Sequence, residues 1–591
     1  MGPVSTQSAP LSSMATLECS ARLAAFVLLI GLPFPSHGAV CPTPLPLGPS
    51  PTRLIVVVPG TGQGAPQWQS FLEEFKKEPR SRDFAWLLFD HGITFTSFGT
   101  ARDVSTALAS CVDEKARRTR YENITLIGHS IGGMLVRRAY LESVGAFPDQ
   151  VATPDSWGHK VDKILLFASV NKGIRSDARW WGVPANWLLR TLPHPRFILE
   201  DLALGSDFIA DVRIAWIRHF GALYKRMVES RQSVPPRVVQ FWGTKDSIVT
   251  EHDNSDLEAF SGPVIVRVSG AKHGNLNRLE KPFADDPESR WALFRKQILD
   301  EPHVVTTPPT YQPQRVLFIV RGIRDSSNSE WVSDLRLRAR KVYGAKNVED
   351  IEYGYFSAAH FALRPLRGKN IPTFRDLYAQ RLAENPLTEF DFIGHSNGTY
   401  IFGHSLLSTP SMRFRNVVLA APVLPTDFDW KQLFRRRQVE ALRYDTALWD
   451  WPVGILCQVI RALGFSDVGP SGVVLFGEGT MADSRIRKVG WYDGDHGAAL
   501  RVDPKQGIDN RQHLLNFVVT GSDLNAGEKL EPELGVMQHL SRATPYGVWT
   551  FTALMLWWVF RRYRAGKKFP RRSVAWLLGI LIAVYAVLDI V

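Results

Sequence analysis

The motif Gly-His-Ser-x-Gly occurs twice, as Gly128-His129-Ser130-Ile131-Gly132 and as Gly394-His395-Ser396-Asn397-Gly398. Each copy directly follows a short apolar run (ITLI over 124–127, FDFI over 390–393) and precedes a helix-like stretch (MLVRRAYLESV, TYIFGHSLLS). A strand that turns this sharply into a helix needs glycine on both sides of the serine, because a Cβ there would strike the packed helix. The turn lifts the serine hydroxyl above the edge of a sheet, where a base can reach it. Upstream lie LIVVV over 54–58, ended by Pro59-Gly60-Thr61-Gly62, and RVLFIV over 315–320, ended by Arg321-Gly322-Ile323. Unbroken β-branched runs of this kind belong in parallel sheets covered on both faces. From first strand to serine is 76 residues in one copy (Leu54 to Ser130) and 80 in the other (Val316 to Ser396). One such motif is weak evidence in a long chain. Two, in the same context and at matching offsets, predict two tandem α/β units, over 50–300 and 315–525, joined by a Pro- and Thr-rich linker at 301–314.

At these residues both units resemble α/β-hydrolase-fold serine hydrolases. The first is similar to the lipase branch: Ala168-Ser169-Val170-Asn171-Lys172-Gly173, after KILLF, resembles the strand-end loop of lipases and GPI-inositol-deacylase-like esterases. The resemblance implies a mostly parallel sheet flanked by helices, a Ser, then Asp/Glu, then His order of catalytic residues, and no cofactor.

A serine hydroxyl becomes a useful nucleophile when a histidine takes its proton and a carboxylate fixes that histidine's tautomer. In the first unit, RVVQF over 237–241 leads into Trp242-Gly243-Thr244-Lys245-Asp246-Ser247-Ile248-Val249, which resembles the family's G-x-x-D-x-x-V loop. VIVRV then runs to Ser269-Gly270-Ala271-Lys272-His273-Gly274. Ser130, Asp246 and His273 thus fall in order at strand ends, where α/β folds place their sites. His252, Asp253 and Asp256 sit one loop further on and lack that position. In the second unit His496, in Asp495-His496-Gly497, is the expected base. Asp450 is the expected acid and Asp445 the alternative, since the G-x-x-D spacing is absent. The oxyanion hole is expected from the backbone N–H groups of Ile131 and Asn397, with second donors near Thr61 and Ile323. Arg321 stands where the family usually has histidine. It either sets a positive charge by the pocket, suiting an acidic or phosphorylated substrate, or pairs with Asp325. Residues 179–220 carry Trp180, Trp181, Trp187 and Trp216 and read as a lid-like insertion or an ordinary helical cap.

The two ends of the chain address it to a membrane. Residues 1–38 read as a leader and signal peptide, with LAAFVLLIGL over 23–32 and the small-residue site Ser36-His37-Gly38. Residues 526–543 form a tether, and 544–591 a two-helix transmembrane hairpin with spans at 544–560 and 573–591. The net charge is +12, and the loop between the spans supplies seven of those positive charges. A bias so local excludes a broad nucleic-acid-binding face and, by the positive-inside rule, places this loop in the cytoplasm and both hydrolase units outside it. A bacterial periplasmic setting is expected over a eukaryotic lumen. With 45% hydrophobic and 22% charged residues, disorder is excluded. Four cysteines in the whole chain exclude a disulfide scaffold and a CxxC metal site, while Cys41 and Cys111 can pair in an oxidising compartment. The expectation is therefore a membrane-anchored serine esterase or lipase acting on a hydrophobic acyl-ester substrate. Amidase, thioesterase and transacylase chemistry use the same triad, and a binding or scaffolding role on decayed hydrolase folds is the other class.

Overall fold

The computed structural model describes residues 41–151, 153–175, 197–230, 235–251, 264–279, 289–299, 311–323, 329–351, 358–362, 364–522 and 535–565. The expected signal peptide, the linker over 301–310 and the second apolar span at 573–591 lie outside these residues, as do Trp180, Trp181, Trp187, His252, Asp253, Asp256 and Asp325.

The first sheet holds β1 (Leu45–Pro46), β2 (Arg53–Val58), β3 (Phe84–Leu88), β4 (Asn123–His129), β5 (Val161–Phe167), β6 (Arg237–Gly243) and β7 (Val264–Val268), in the order β1-β3-β2-β4-β5-β6-β7. All pairs are parallel except β1 with β3. The second holds β8 (Gln314–Val320), β9 (Val348–Asp350), β10 (Thr388–His395), β11 (Phe414–Ala420), β12 (Val439–Ala447) and β13 (Ile486–Tyr492), in the order β13-β12-β11-β10-β8-β9. Read from its β9 edge, this order repeats the first sheet from β3 to β7, strand for strand.

Alternation along each strand builds the layers. Leu54, Val56 and Val58 pack into one apolar layer, and Ile55 and Val57 into the other with Phe71, Phe75 and Phe294. Both faces are therefore dry, as the unbroken LIVVV run requires. The covering helices are α1 (Ala65–Lys76), α2 (Ala101–Arg118), α3 (Ile131–Ser143), α4 (Asp207–Ser230) and α5 (Arg290–Leu299) in the first unit. The second has α6 (Glu330–Tyr343), α7 (Ile371–Glu384), α8 (Asn397–Ser408) and α9 (Asn510–Thr520). Thr100 starts α2 by accepting the Asp103 N–H, and left-handed Gly521 ends α9.

The described part of the lid-like stretch is structural. Trp216 on α4 is fully buried against Tyr140 and Phe220, and the Arg137 guanidinium stacks on its ring. The outer side of α4 meets α7 of the second unit. Arg213 Nη1 pairs with Asp376 Oδ1 at 2.6 Å, Arg218 Nη2 donates to Tyr378 Oη at 2.6 Å, and the Ser411 N–H donates to Asp211 Oδ1 at 3.0 Å. One apolar cluster runs through both units. α4 packs between the two units, its second face covered by residues about 160 positions away in sequence, which local pattern does not reveal.

Cys41 and Cys111 form a disulfide that ties the segment before β1 to α2, and Cys457 is a buried free thiol. The expected span at 544–560 lies inside α10 (Val536–Arg564). Among the described residues no helix is long and apolar enough to cross a membrane. Trp, Tyr, Thr and Gly dilute the hydropathy of α10, and Arg561, Arg562 and Arg564 close its last turn. The transmembrane hairpin is not supported by this helix. Its start packs on the second unit: Met537 lies against Gly454, and Gln538 Nε2 donates to the Val473 carbonyl at 3.0 Å.

Candidate active site

Ser130 stands between β4 and α3 with φ 54° and ψ −120°, and Ser396 between β10 and α8 with φ 52° and ψ −122°. A non-glycine residue holds such a conformation only where its surroundings fix it. They do so here through backbone bonds, Ser130 N–H to the Phe167 carbonyl at 2.9 Å and Ser396 N–H to Ala420 at 3.1 Å. The flanking glycines are required by contact. A Cβ on Gly132 would come 2.2 Å from the Val58 carbonyl oxygen, and one on Gly398 2.1 Å from that of Val320. Ala168 and Ala421, one strand over, share a further matched distortion with φ 44° and 46°.

In the first unit the side chains form a line. His273 Nε2 lies 2.9 Å from Ser130 Oγ, and His273 Nδ1 lies 3.0 Å from Asp246 Oδ2. Asp246 Oδ1 accepts the N–H groups of Ile248 and Val249 at 2.8 and 3.0 Å, so both carboxylate oxygens are engaged. The carboxylate is solvent-inaccessible, whereas the imidazole side chain is 15% exposed.

In the second unit His496 Nδ1 lies 2.7 Å from Asp450 Oδ2, and Asp450 Oδ1 accepts the Val453 N–H at 3.0 Å. Asp445 is elsewhere: it sits within β12, fully buried, with Arg443 Nε 3.1 and 3.0 Å from its two oxygens. The histidine therefore meets Asp450. Ser396 follows His395, whose ring lies 4.7 Å from that of His496 between centroids.

The expected oxyanion loops lie against the elbows. A Cβ on Gly60, next to Thr61, would come 3.2 Å from Ser130 Cβ, and Ile131 N–H and Asn397 N–H open the helices that follow the two serines. In the second unit the Arg321 carbonyl would lie 3.1 Å from a Cβ on Gly398, which places the Arg321–Ile323 turn beside the Ser396 elbow; Arg321 is buried.

Three histidines escaped the sequence reading. His129 Nε2 donates to the His273 carbonyl at 2.8 Å, and His395 Nε2 lies 3.0 Å from the His496 carbonyl. Burial and then the nearby His273 push the His129 pKa down to about 3, so the ring is neutral at neutral pH. His91 accepts the Ile93 N–H at Nδ1 (2.9 Å) and donates from Nε2 to the Pro59 carbonyl (2.9 Å), pinning the loop that carries Thr61. The repeated His inside both serine motifs was the available signal for the first two. His91 left none.

Among the described residues no group of His, Cys, Asp or Glu could hold a metal ion. A model of the alpha/beta hydrolase family matches residues 55–288. Solved structures with a similar chain path include a lipase–esterase related protein from Clostridium acetobutylicum (16% identity, 40% of this chain and 93% of that one, TM-score 0.24). Others are Est1E from Butyrivibrio proteoclasticus (14%, 43% and 90%, TM-score 0.26) and the lipase BlEst2 from Bacillus licheniformis (15%, 41% and 91%, TM-score 0.25). No curated protein matches the chain. With its parallel sheet, strained serine elbow and family match over residues 55–288, the chain has an α/β-hydrolase fold.

Proposed function

We propose that this hydrolase is a serine esterase with two catalytic centres, Ser130–His273–Asp246 and Ser396–His496–Asp450, acting on hydrophobic acyl esters. The observation that carries the reading is the continuous Ser130–His273–Asp246 line at 2.9 and 3.0 Å. Asp246 accepts at His273 Nδ1 and leaves Nε2 as the base toward Ser130. As Ser130 Oγ bonds to the ester carbonyl carbon, its proton passes to His273 Nε2. The carbonyl oxygen, now negative, faces the Ile131 N–H and a donor of the Thr61 loop. Collapse expels the alcohol, which takes the proton from His273 and leaves an acyl-serine. Water, deprotonated by the same nitrogen, then releases the acid and restores Ser130. The second centre is assigned the same steps through Ser396, His496 and Asp450, with Asn397 N–H and the Ile323 loop as donors. Its His496–Asp450 pair and its matched elbow dihedrals support that assignment.

The setting belongs to the same proposal. Attachment to the outer side of a bacterial inner membrane is supported by the exposed Trp549, Phe551, Leu554, Leu556, Trp557 and Phe560 of α10, beside its terminal arginines. The Cys41–Cys111 disulfide supports an oxidising compartment.

The test is fluorophosphonate labelling of the intact protein and of its Ser130→Ala, Ser396→Ala and double variants. Two labels on the parent, one on each single variant and none on the double are expected. A double variant that still labels would end the assignment.

A further inference from the structure

Between the two units lies a cavity of about 340 Å³, away from both serines. Its walls on the first unit come from α4 and from Ala146 and Pro148, just beyond the end of α3. On the second they are Pro386 and Leu387, immediately before β10, and Ser411 and Arg413, immediately before β11. The cavity therefore sits at the amino ends of the strands, whereas Ser396 stands at the carboxyl end of β10. It is separate from the hydrolytic sites.

Its charge is one-sided. Arg218, His219 and Lys225 line it from one unit and Arg413 from the other, and no carboxylate is among the described lining residues. Arg218 spends Nη2 on the Tyr378 hydroxyl, and its buried Nε has no hydrogen-bond partner. Among the described residues neither Arg218 nor Arg413 forms an ion pair. The nearby Asp211 is already committed, accepting from the Ser411 N–H and from Arg138. Desolvation and then the Arg218 charge lower the Arg413 pKa, the Arg437 charge adds to this, and Tyr378 and Glu440 oppose it only in part. His219 is held neutral by burial and lies 2.9 Å from the Tyr140 hydroxyl. Two guanidinium groups brought together with no ion pair of their own among the described residues are costly to hold, and an anion bound between them lowers that cost.

We propose that this cavity binds a phosphate-bearing small organic molecule that bridges the two units. The Arg413 guanidinium offers a planar, bidentate donor suited to a phosphoryl group, Arg218 adds its remaining N–H groups and charge, and Lys225 adds a third permanent charge. The volume exceeds that of a bare ion and matches the small end of organic-ligand sites, roughly 300–1,000 Å³. Ala215, Pro386 and Leu387 give the organic part an apolar wall. Because the donors come from both units, ligand binding stabilises their docked arrangement by mass action. The phosphate can belong to a soluble phosphoester or to a lipid headgroup.

The experiment uses the full chain. Inorganic pyrophosphate is titrated by calorimetry and thermal denaturation, and flotation is measured with phosphatidylcholine vesicles with and without phosphatidic acid. One-to-one pyrophosphate binding with a raised Tm is expected for a soluble ligand, and phosphatidic-acid-dependent flotation for a lipid one. Loss of a charge-assisted contact predicts that Arg413→Glu weakens whichever binding is seen by at least about tenfold. Lys225→Glu, at an exposed position on the other wall, is expected to weaken it as well and guards against a folding artefact. Absence of both bindings in the parent, or binding that both substitutions leave unchanged, overturns the proposal.

Discussion

The ring of His129 donates to the backbone carbonyl of His273 at 2.8 Å, so the residue preceding Ser130 holds the residue proposed as its base. The contact joins β4 to a loop 144 residues later and fixes the height of the imidazole over Ser130. His129→Phe keeps the bulk and removes the donor. It is expected to lower kcat about 10- to 100-fold with KM little changed, because small misplacements of a catalytic group cost rate. Steady-state kinetics on a medium-chain ester checks this, and an unchanged kcat would mean His273 is held by its own loop.

Removing the proposed nucleophile is a larger step. Ser130→Ala or His273→Ala is expected to cut hydrolysis at the first centre by about 10⁴- to 10⁶-fold in a Ser396→Ala background, leaving oxyanion and binding catalysis. Losses under about tenfold would misassign the triad.

Asp450 and Asp445 are separated by what each holds. Asp450→Asn presents an amide to His496 and frees the wrong tautomer, so fluorophosphonate labelling of Ser396 is expected to fall by about 10⁴-fold with the fold intact. Asp445→Asn instead strips a buried charge from Arg443, which is 3% exposed at its side chain. That change is expected to cost about 3–5 kcal/mol of stability while leaving the labelling chemistry in place. Denaturation midpoints and labelling rates of the two variants, measured together, decide the acid.

The elbows, Asp246, His273 and the His496–Asp450 pair were legible because each is written locally: a strand, a turn and one polar residue. Asp450 was harder, since the G-x-x-D spacing fails there. Yet both acids accept the N–H three residues on, Val249 and Val453, so Asp-x-x-Val was the surviving local mark. The role of 197–220 was not legible. Trp216 and its apolar neighbours fit a lid-like insertion and a helical cap alike, whereas α4 is buried on one side by its own unit and on the other by α7. Which surface meets a helix is decided by long-range packing, and no local period encodes it.

Acid is expected to loosen the first unit. Burial holds His129 down to about 3 and His219 to about 4, whereas both return to an ordinary 6.5 on unfolding. Between those values the unfolded chain binds more protons, so stability is full above pH 6.5 and falls as pH drops toward the folded values. At pH 5 each group accounts for roughly 2 kcal/mol of lost stability. Urea unfolding at pH 7 and pH 5 measures the loss. His219→Asn should remove part of the histidine contribution, which buried His91 shares, and an identical pH slope in that variant would locate the sensitivity elsewhere.

The last prediction concerns the seam between the units. Arg213 is 1% exposed and pairs at 2.6 Å with Asp376, whose side chain is 13% exposed. Around that pair the apolar cluster continues from α4 into the second sheet, and left-handed Gly205 packs directly on the Pro372 backbone. A seam with a shared core does not open without exposing both units, so the intact chain is expected to unfold in one cooperative transition. Arg213→Ala leaves Asp376 facing a low-dielectric seam without its partner and should cost about 3–5 kcal/mol. Asp376→Asn keeps a hydrogen-bond acceptor for Arg213 but removes the charge, and is expected to lower the midpoint as well because the buried guanidinium loses that carboxylate. Calorimetric scans of the parent and both variants test the idea. Two separate transitions in the parent, or variants that lower the midpoint of one unit alone, would show that the units fold independently.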